Sequence, residues 1–289
     1  MNRTQKFVIN SITTALNQIV IMIVGFITPS LMIRTYGSEI NGLVSSINQL
    51  IGYISLVEAG LSGAAIYSLY KPLAEHDEKG INSIVSAARK FYLQAGYIFS
   101  SAALVLSFVY GYLKSSASIS FSTIFFLTLI LSVNGCVDFF VLSRYRVILT
   151  ADQRTYVISI VGIVQTIIRT IIIVVCALEK INVVVLYTLT LLPIIIKIIV
   201  LFGYCKKNYK FLNFKEEPNI AALGRRYDVI YQQILGMVQT GAPAIIATIV
   251  LDFFSVSIYA VYNIVYGYLK SSASISFSTI FFLTLILSV

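Results

Sequence analysis

Apolar runs of about twenty residues recur along this chain, separated by short polar breaks. A helix rises about 1.5 Å per residue, so runs of that length match a bilayer core of about 30 Å. The pattern predicts spans over 7–32, 42–66, 91–113, 119–143, 155–178, 183–204 and 227–250, with another from about 256. That is an all-α polytopic membrane protein of about eight transmembrane helices plus a partial ninth. Pro29 and Pro193 are expected to kink the first and sixth spans. In the second span Ser45, Asn48, Gly52, Ser55, Ala59 and Ser62 recur at helical spacing, which predicts one face for close helix–helix packing. The intervening segments 33–41, 67–90, 144–154 and 205–226 read as loops, with a short interfacial helix over 81–90.

The fifth span carries Arg169 near its middle, with Gln165 one turn earlier on the same face. A guanidinium at that depth costs about 3 kcal/mol on insertion scales, so it must face a bundle interior, a partner or a wet cavity. Two readings stand equal: Arg169 lines a cavity for an anionic group, or it bridges to Glu58, Asp138 or backbone carbonyls. Lys197 in the sixth span is close enough to the inner end to snorkel part of the way. Asn17 and Gln18 are expected to bond between helices. Gln165, Asn48, Gln232 and Gln239 are candidate hydrogen-bonding residues of a cavity, whereas Glu58 reads as an ion or proton coupler or as a helix-end carboxylate.

Composition agrees with the pattern. The chain is 58% hydrophobic and 11% charged, with a mean hydropathy of +0.88. Its net charge of +9 does not call for nucleic acid, because the charges sit in short segments between spans. With the N-terminus inside, the outer loops hold only Arg34, Lys114 and Lys180, and the inner segments collect most of the other cations. A membrane protein with a cytoplasmic N-terminus is expected. The start, MNRTQKF before an apolar run, is too long and too polar at Asn17 and Gln18 for a cleaved signal, and is read as a retained span. Cys136, Cys176 and Cys205 are isolated and read as packed thiols. His76 lies in an acidic turn without the further ligands a metal needs, and no cofactor is expected.

One feature breaks the pattern. The segment Val109–Val133 recurs without a change at Val265–Val289. Repeats in transporters are weak internal symmetries, so perfect identity points to a recent rearrangement or a gene error that truncated the chain. No site is assigned to the second copy.

The segment IRTYGSEINGLVSSINQLIGYISLVEAGLSGAAIYSLYKPLAEHD resembles the region of the first two spans in bacterial polysaccharide flippases. Its matching elements are Arg34, Thr35 and Gly37, then Glu58, Gly60 and Leu61. YRVILTADQRTYV, at 145–157, is similar to the loop that follows the fourth span in that family. The resemblance extends over 1–264 as several weak elements in the right order. It implies the two-lobe fold of the multidrug/oligosaccharidyl-lipid/polysaccharide superfamily: a six-helix lobe over 1–204, a basic cytoplasmic linker over 205–226, and the truncated start of a second lobe over 227–289. It also implies an activity that is not enzymatic, the flipping of undecaprenyl-pyrophosphate-linked oligosaccharide by alternating access, which truncation would put at risk. The expected partners are that lipid-linked oligosaccharide, membrane lipids, and polysaccharide polymerase and other export proteins. A drug exporter of the same fold is the alternative, and a membrane-embedded polysaccharide enzyme a third. The first would want an acidic cavity; the second needs catalytic acids or histidines near a membrane face.

Overall fold

The computed structural model describes residues 3–116, 118–224, 231–232, 235–236, 243 and 246–267. Helix accounts for 86% of it and no strand occurs among the described residues, so the chain is all-α. In order come α1 (Arg3–Tyr36), α2 (Ser38–Ile54), α3 (Leu56–Glu75), α4 (Glu78–Lys114), α5 (Phe121–Val137), a π-turn (Asp138–Leu142), α6 (Ser143–Ala151) and α7 (Thr155–Leu178). Then follow α8 (Val183–Leu189), α9 (Leu192–Asn208), a 3₁₀ turn (Ala221–Leu223) and α10 (Phe253–Gly267).

Among the described residues, five helical stretches are long and apolar enough to cross a membrane: Thr4–Tyr36, Glu78–Lys114, Phe121–Ala151, Thr155–Leu178 and Val183–Asn208. Their outward faces are apolar, with Ile23 and Phe26, Ile98 and Val105, and Ile167 and Ile171 among the exposed side chains. Belts of exposed aliphatic and aromatic side chains on helices with satisfied backbones are what lipid accepts and water does not. The chain is a multi-pass membrane protein.

The expected spans are redrawn in four places. The 42–66 span is two helices, α2 and α3, broken at Ser55, where the Glu58 amide reaches back only three residues to the Ser55 carbonyl at 3.0 Å. The sixth is broken at Thr190–Leu191, just before Pro193, which sits in the first turn of α9 where its missing N–H costs nothing. The 67–90 and 144–154 segments are mostly helix instead of loop: α3 runs to Glu75, α4 starts at Glu78, and α6 extends the fourth span to Ala151. Pro29 lies inside the uninterrupted α1. Most of the 227–250 span, and all of the second repeat copy after Gly267, fall outside the described residues.

Local chemistry sets several of these ends. Gly37 at φ 87° separates α1 from α2, a backbone position that L side chains resist. His76, at φ 54°, closes α3 in the left-handed region and is exposed. Asp77 then caps α4, its Oδ1 accepting from the Gly80 amide at 2.9 Å.

The helix ends gather into two groups. At the N-terminal end of the bundle, Asp152 joins three elements. Lys6 Nζ lies at 2.9 Å from its Oδ1, Arg154 Nε at 2.7 Å from Oδ2, and Tyr209 donates its hydroxyl to Oδ2 at 2.7 Å. The segment after α9 is strapped across α3 and α4 at the same end. Asn82 donates to the Phe211 carbonyl and accepts from the Asn213 amide, both at 2.9 Å, and Ser68 donates to the Ala222 carbonyl at 2.7 Å. At the opposite end Tyr36 donates to the Ile181 carbonyl at 2.6 Å. There Lys114 Nζ donates to the carbonyls of Ile249 and Leu251 at 3.1 and 3.2 Å, and Asn41 Nδ2 to Ser257 Oγ at 2.8 Å.

Burial pushes the Tyr209 phenol up from its ordinary range, and its bond to the Asp152 carboxylate pushes it further. Below about pH 10 the phenol is protonated in both folded and unfolded chains, so its contribution is complete. Above that, the unfolded chain loses the proton first and stability falls. The Tm advantage of the parent over Tyr209→Phe is therefore expected to stay constant to about pH 10 and to shrink beyond it. A gap that widens with alkaline pH would contradict this assignment.

Candidate functional site

Two polar places occur inside the bundle, and they divide the ionisable residues singled out above. The first surrounds Arg169. By helical rise the residue lies about 21 Å from the start of α7 and about 14 Å from its end. It faces a cavity of about 400 Å³ walled by α1, α2, α7, α8 and α10. Asn41, Ser45 and Asn48 come from α2, Thr28 from α1, Thr166 and Thr170 from α7, Tyr187 from α8 and Ile264 from α10. Arg169 is the single charged wall residue among those described. Its Nε is buried without a hydrogen-bond partner, and it takes part in none of the ion pairs among the described residues. A bridge from Arg169 to Glu58 or Asp138, one of the two sequence readings, is thus not made.

Of the other cavity candidates, Asn48 is exposed on the wall and Gln165 does not line it. Gln239 lies outside the described residues, and Gln232 is exposed. Gln18 is exposed as well, whereas Asn17 packs on α7, where a Cβ added to Gly162 would stand 3.4 Å from Asn17 Oδ1. The small Gly162 lets the two helices approach closely, but Asn17 Oδ1 is buried there without a hydrogen-bond partner, so the expected interhelical bond is not made among the described residues.

The second place collects Glu58, Asp138 and Lys197 around Arg146. Arg146 Nη2 pairs with Glu58 Oε1, its Nη1 lies 3.7 Å from Asp138 Oδ1, and Lys197 Nζ lies 3.5 Å from the same Asp138 oxygen. Ser62 and Ser143 donate to Glu58 Oε1 at 2.8 and 3.0 Å, and Ser62 Oγ also meets Tyr92 OH at 2.9 Å. The two carboxylates and two cations balance, and their side chains are 17 to 29% exposed. A cavity of about 330 Å³ borders the node on one side, with Thr150, Thr155 and Ser159 on its wall.

Backbone irregularities build this node. The break at Ser55 places Glu58 in the first turn of α3, where the helix N-terminus favours a carboxylate. Asp138 and Arg146 are eight residues apart, which on a regular α-helix leaves them about 80° out of register. The π-turn at Asp138–Leu142 takes up about one residue of that offset and brings both side chains to one face.

Arg146, Ser143 and Tyr92 were not singled out from the sequence. Arg146 was read as one cation of a basic loop, although the unbroken apolar run Val147–Leu149 beside it is a sign that the helix continues.

Compared with family models, curated proteins and solved structures, the chain matches none.

Proposed function

We propose that this chain is the substrate-binding lobe of a bacterial polysaccharide flippase, which carries undecaprenyl-pyrophosphate-linked oligosaccharide across the plasma membrane by alternating access. In this reading residues 1–204 form a six-crossing lobe, with α2 and α3 as one broken crossing. Residues 205–226 are the linker to a second lobe, and the N-terminal end of the bundle is cytoplasmic. The basic strap at that end supports the orientation, since Lys206, Lys207 and Lys210 are exposed there.

The observation that carries the reading is Arg169. An unpaired guanidinium deep in an apolar helix persists when something compensates it. Hydroxyls and amides of Thr28, Ser45, Asn48, Thr166 and Tyr187 share the cavity wall with apolar side chains, and no described carboxylate joins them, which suits an anion better than a cationic drug. Rigid-body rocking of two lobes would open this cavity to each side in turn. The four-charge node at Arg146 is internally neutralised, so we assign it to structure or coupling and not to substrate.

The test is binding by the purified chain in lipid nanodiscs. Polyprenyl pyrophosphate is compared with polyprenol of the same length by native mass spectrometry. Charged hydrogen bonds of about 1.5–3 kcal/mol correspond to about 10- to 100-fold in affinity. The pyrophosphate is expected to bind more tightly by that factor, Arg169→Ala to abolish the preference, and Arg169→Lys to keep part of it, as charge without the fork. Equal binding of the two lipids, or an unchanged preference in Arg169→Ala, would defeat the proposal.

A further inference from the structure

Two arginines outside both polar places converge on the strap that follows α9. Arg89 of α4 donates from Nη1 to the Phe214 carbonyl at 3.3 Å. The Arg144 guanidinium of α6 lies 5.0 Å from the centre of the Phe214 ring and 5.0 Å from that of Tyr145. Phe214 itself packs edge-on against Tyr145 at 5.6 Å. Neither arginine takes part in an ion pair among the described residues, and the Nε of each is buried without a hydrogen-bond partner. Helix length fixes their depth. Along α4, Arg89 stands about 38 Å before Lys114 and about 17 Å after Glu78 by helical rise. Residues 91–113 between the two cations carry no charge. A bilayer with its headgroup layers measures about 40–45 Å. With Lys114 among the headgroups on one side, Arg89 lies among those on the other, and the start of α4 projects beyond them. Charge is sorted along the strap in the same sense. Lys215, next to Phe214, is exposed, whereas Glu216 and Glu217 line a separate cavity with Asp77 and Lys79 near the start of α4.

We infer that Arg89 and Arg144 form a binding site for the phosphate of an anionic lipid headgroup, in the leaflet at the N-terminal end of the bundle. The ligand chemistry is a phosphodiester of net negative charge, as in phosphatidylglycerol. A guanidinium offers phosphate oxygens a planar fork of donors. Aromatic rings hold Arg144 and the Phe214 carbonyl holds Arg89, so both forks are positioned before the ligand arrives and lose little freedom on binding. A free phosphate ion presents the same oxygens, but the depth of the site selects lipid, whose phosphates fill that layer. Because Phe214 touches both cations, the bound headgroup would fasten this part of the strap to the membrane surface. The order of the strap then depends on the charge of the leaflet. The site is separate from the Arg169 cavity and needs no substrate assigned there.

The full chain is placed in nanodiscs of phosphatidylcholine, alone or mixed with phosphatidylglycerol. Lipids retained by the protein are counted by native mass spectrometry, and amide hydrogen exchange is followed over residues 211–224. Phosphatidylglycerol is expected to be preferred about 10- to 100-fold, the range of charged hydrogen bonds, and to slow exchange of the strap several-fold. Arg89→Gln with Arg144→Gln should abolish both differences. Arg89→Lys with Arg144→Lys keeps the charge without the fork and should retain part of each, which a misfolded protein would not. Lys206→Gln with Lys207→Gln removes two charges from the same end and should leave both within about twofold, as should Arg169→Ala. Equal retention of the two lipids, or equal strap exchange in the two discs, overturns the site. A preference lost with the two lysines shows a diffuse surface field instead, and one lost in Arg169→Ala puts the phosphate in the other cavity. Inorganic phosphate that protects the strap in phosphatidylcholine discs as well as phosphatidylglycerol does overturns the lipid as its source.

Discussion

Arg146→Ala is expected to lower the melting temperature more than any other charge removal in this chain. The substitution strips the cation from two carboxylates at once, Glu58 and Asp138, and leaves only Lys197 at 3.5 Å from Asp138. Breaking a buried ion pair from one side costs about 3–5 kcal/mol, and the partial exposure of this node points to the lower end of that range. Two further variants separate charge from packing. Glu58→Gln together with Arg146→Met removes the pair from both sides, and should recover most of the loss, because no uncompensated charge remains. Asp138→Asn alone should cost less, since Arg146 keeps Glu58. Thermal melts in one detergent decide the matter, and an Arg146→Ala protein that melts with the parent would show that the node contributes nothing.

Gly42→Val is expected to separate α10 from α2. A Cβ at Gly42 would collide with the carbonyl oxygen of Phe253, a backbone atom that cannot rotate away. Beside that contact lies the Asn41–Ser257 hydrogen bond at 2.8 Å, with both side chains buried. The ring of Phe253 also packs edge-on against Tyr110 at 6.2 Å. Overpacking of this kind costs about 1–3 kcal/mol when the neighbour cannot yield. Here the simplest relief is for α10 to move as a unit. A cysteine pair at positions 41 and 257 reads the outcome: it should crosslink readily in the parent and several-fold less with Gly42→Val present. Equal crosslinking would mean the helices do not approach as closely as Gly42 indicates.

Much of the helical layout was legible in the chain. The fifth span, Thr155–Leu178, has the same limits in sequence and structure, because a mostly apolar run with Arg169 as its one charge is bounded by Arg154 and Glu179. The helical start of α4 was harder to place. Its residues Ile81, Ile84, Val85 and Ala88 are buried beneath the strap after α9, so their apolar face meets protein instead of lipid. A short interfacial helix over 81–90 was expected from the sequence, but hydropathy averaged over a window registers lipid contact and does not show that these turns continue into the span as one helix. The breaks at Ser55 and at Asp138–Leu142 were invisible for a related reason. A π-turn or a tightened turn changes the direction of side chains without changing composition.

Sequence alone determined that this chain lives in a membrane and that Arg169 needs an explanation, because a charge inside a long apolar run is costly until something in the fold compensates it. Which charges find partners was decided only by the tertiary structure. Glu58 and Arg146 are 88 residues apart in the chain and paired in space. Arg169, for which a bridge and a cavity stood equal, faces a cavity and makes no ion pair among the described residues. Ion pairing requires two side chains within about 4 Å, and at the Arg146 node that distance is set by a broken helix, a π-turn and the packing of α3, α6 and α9, none of which has a composition of its own.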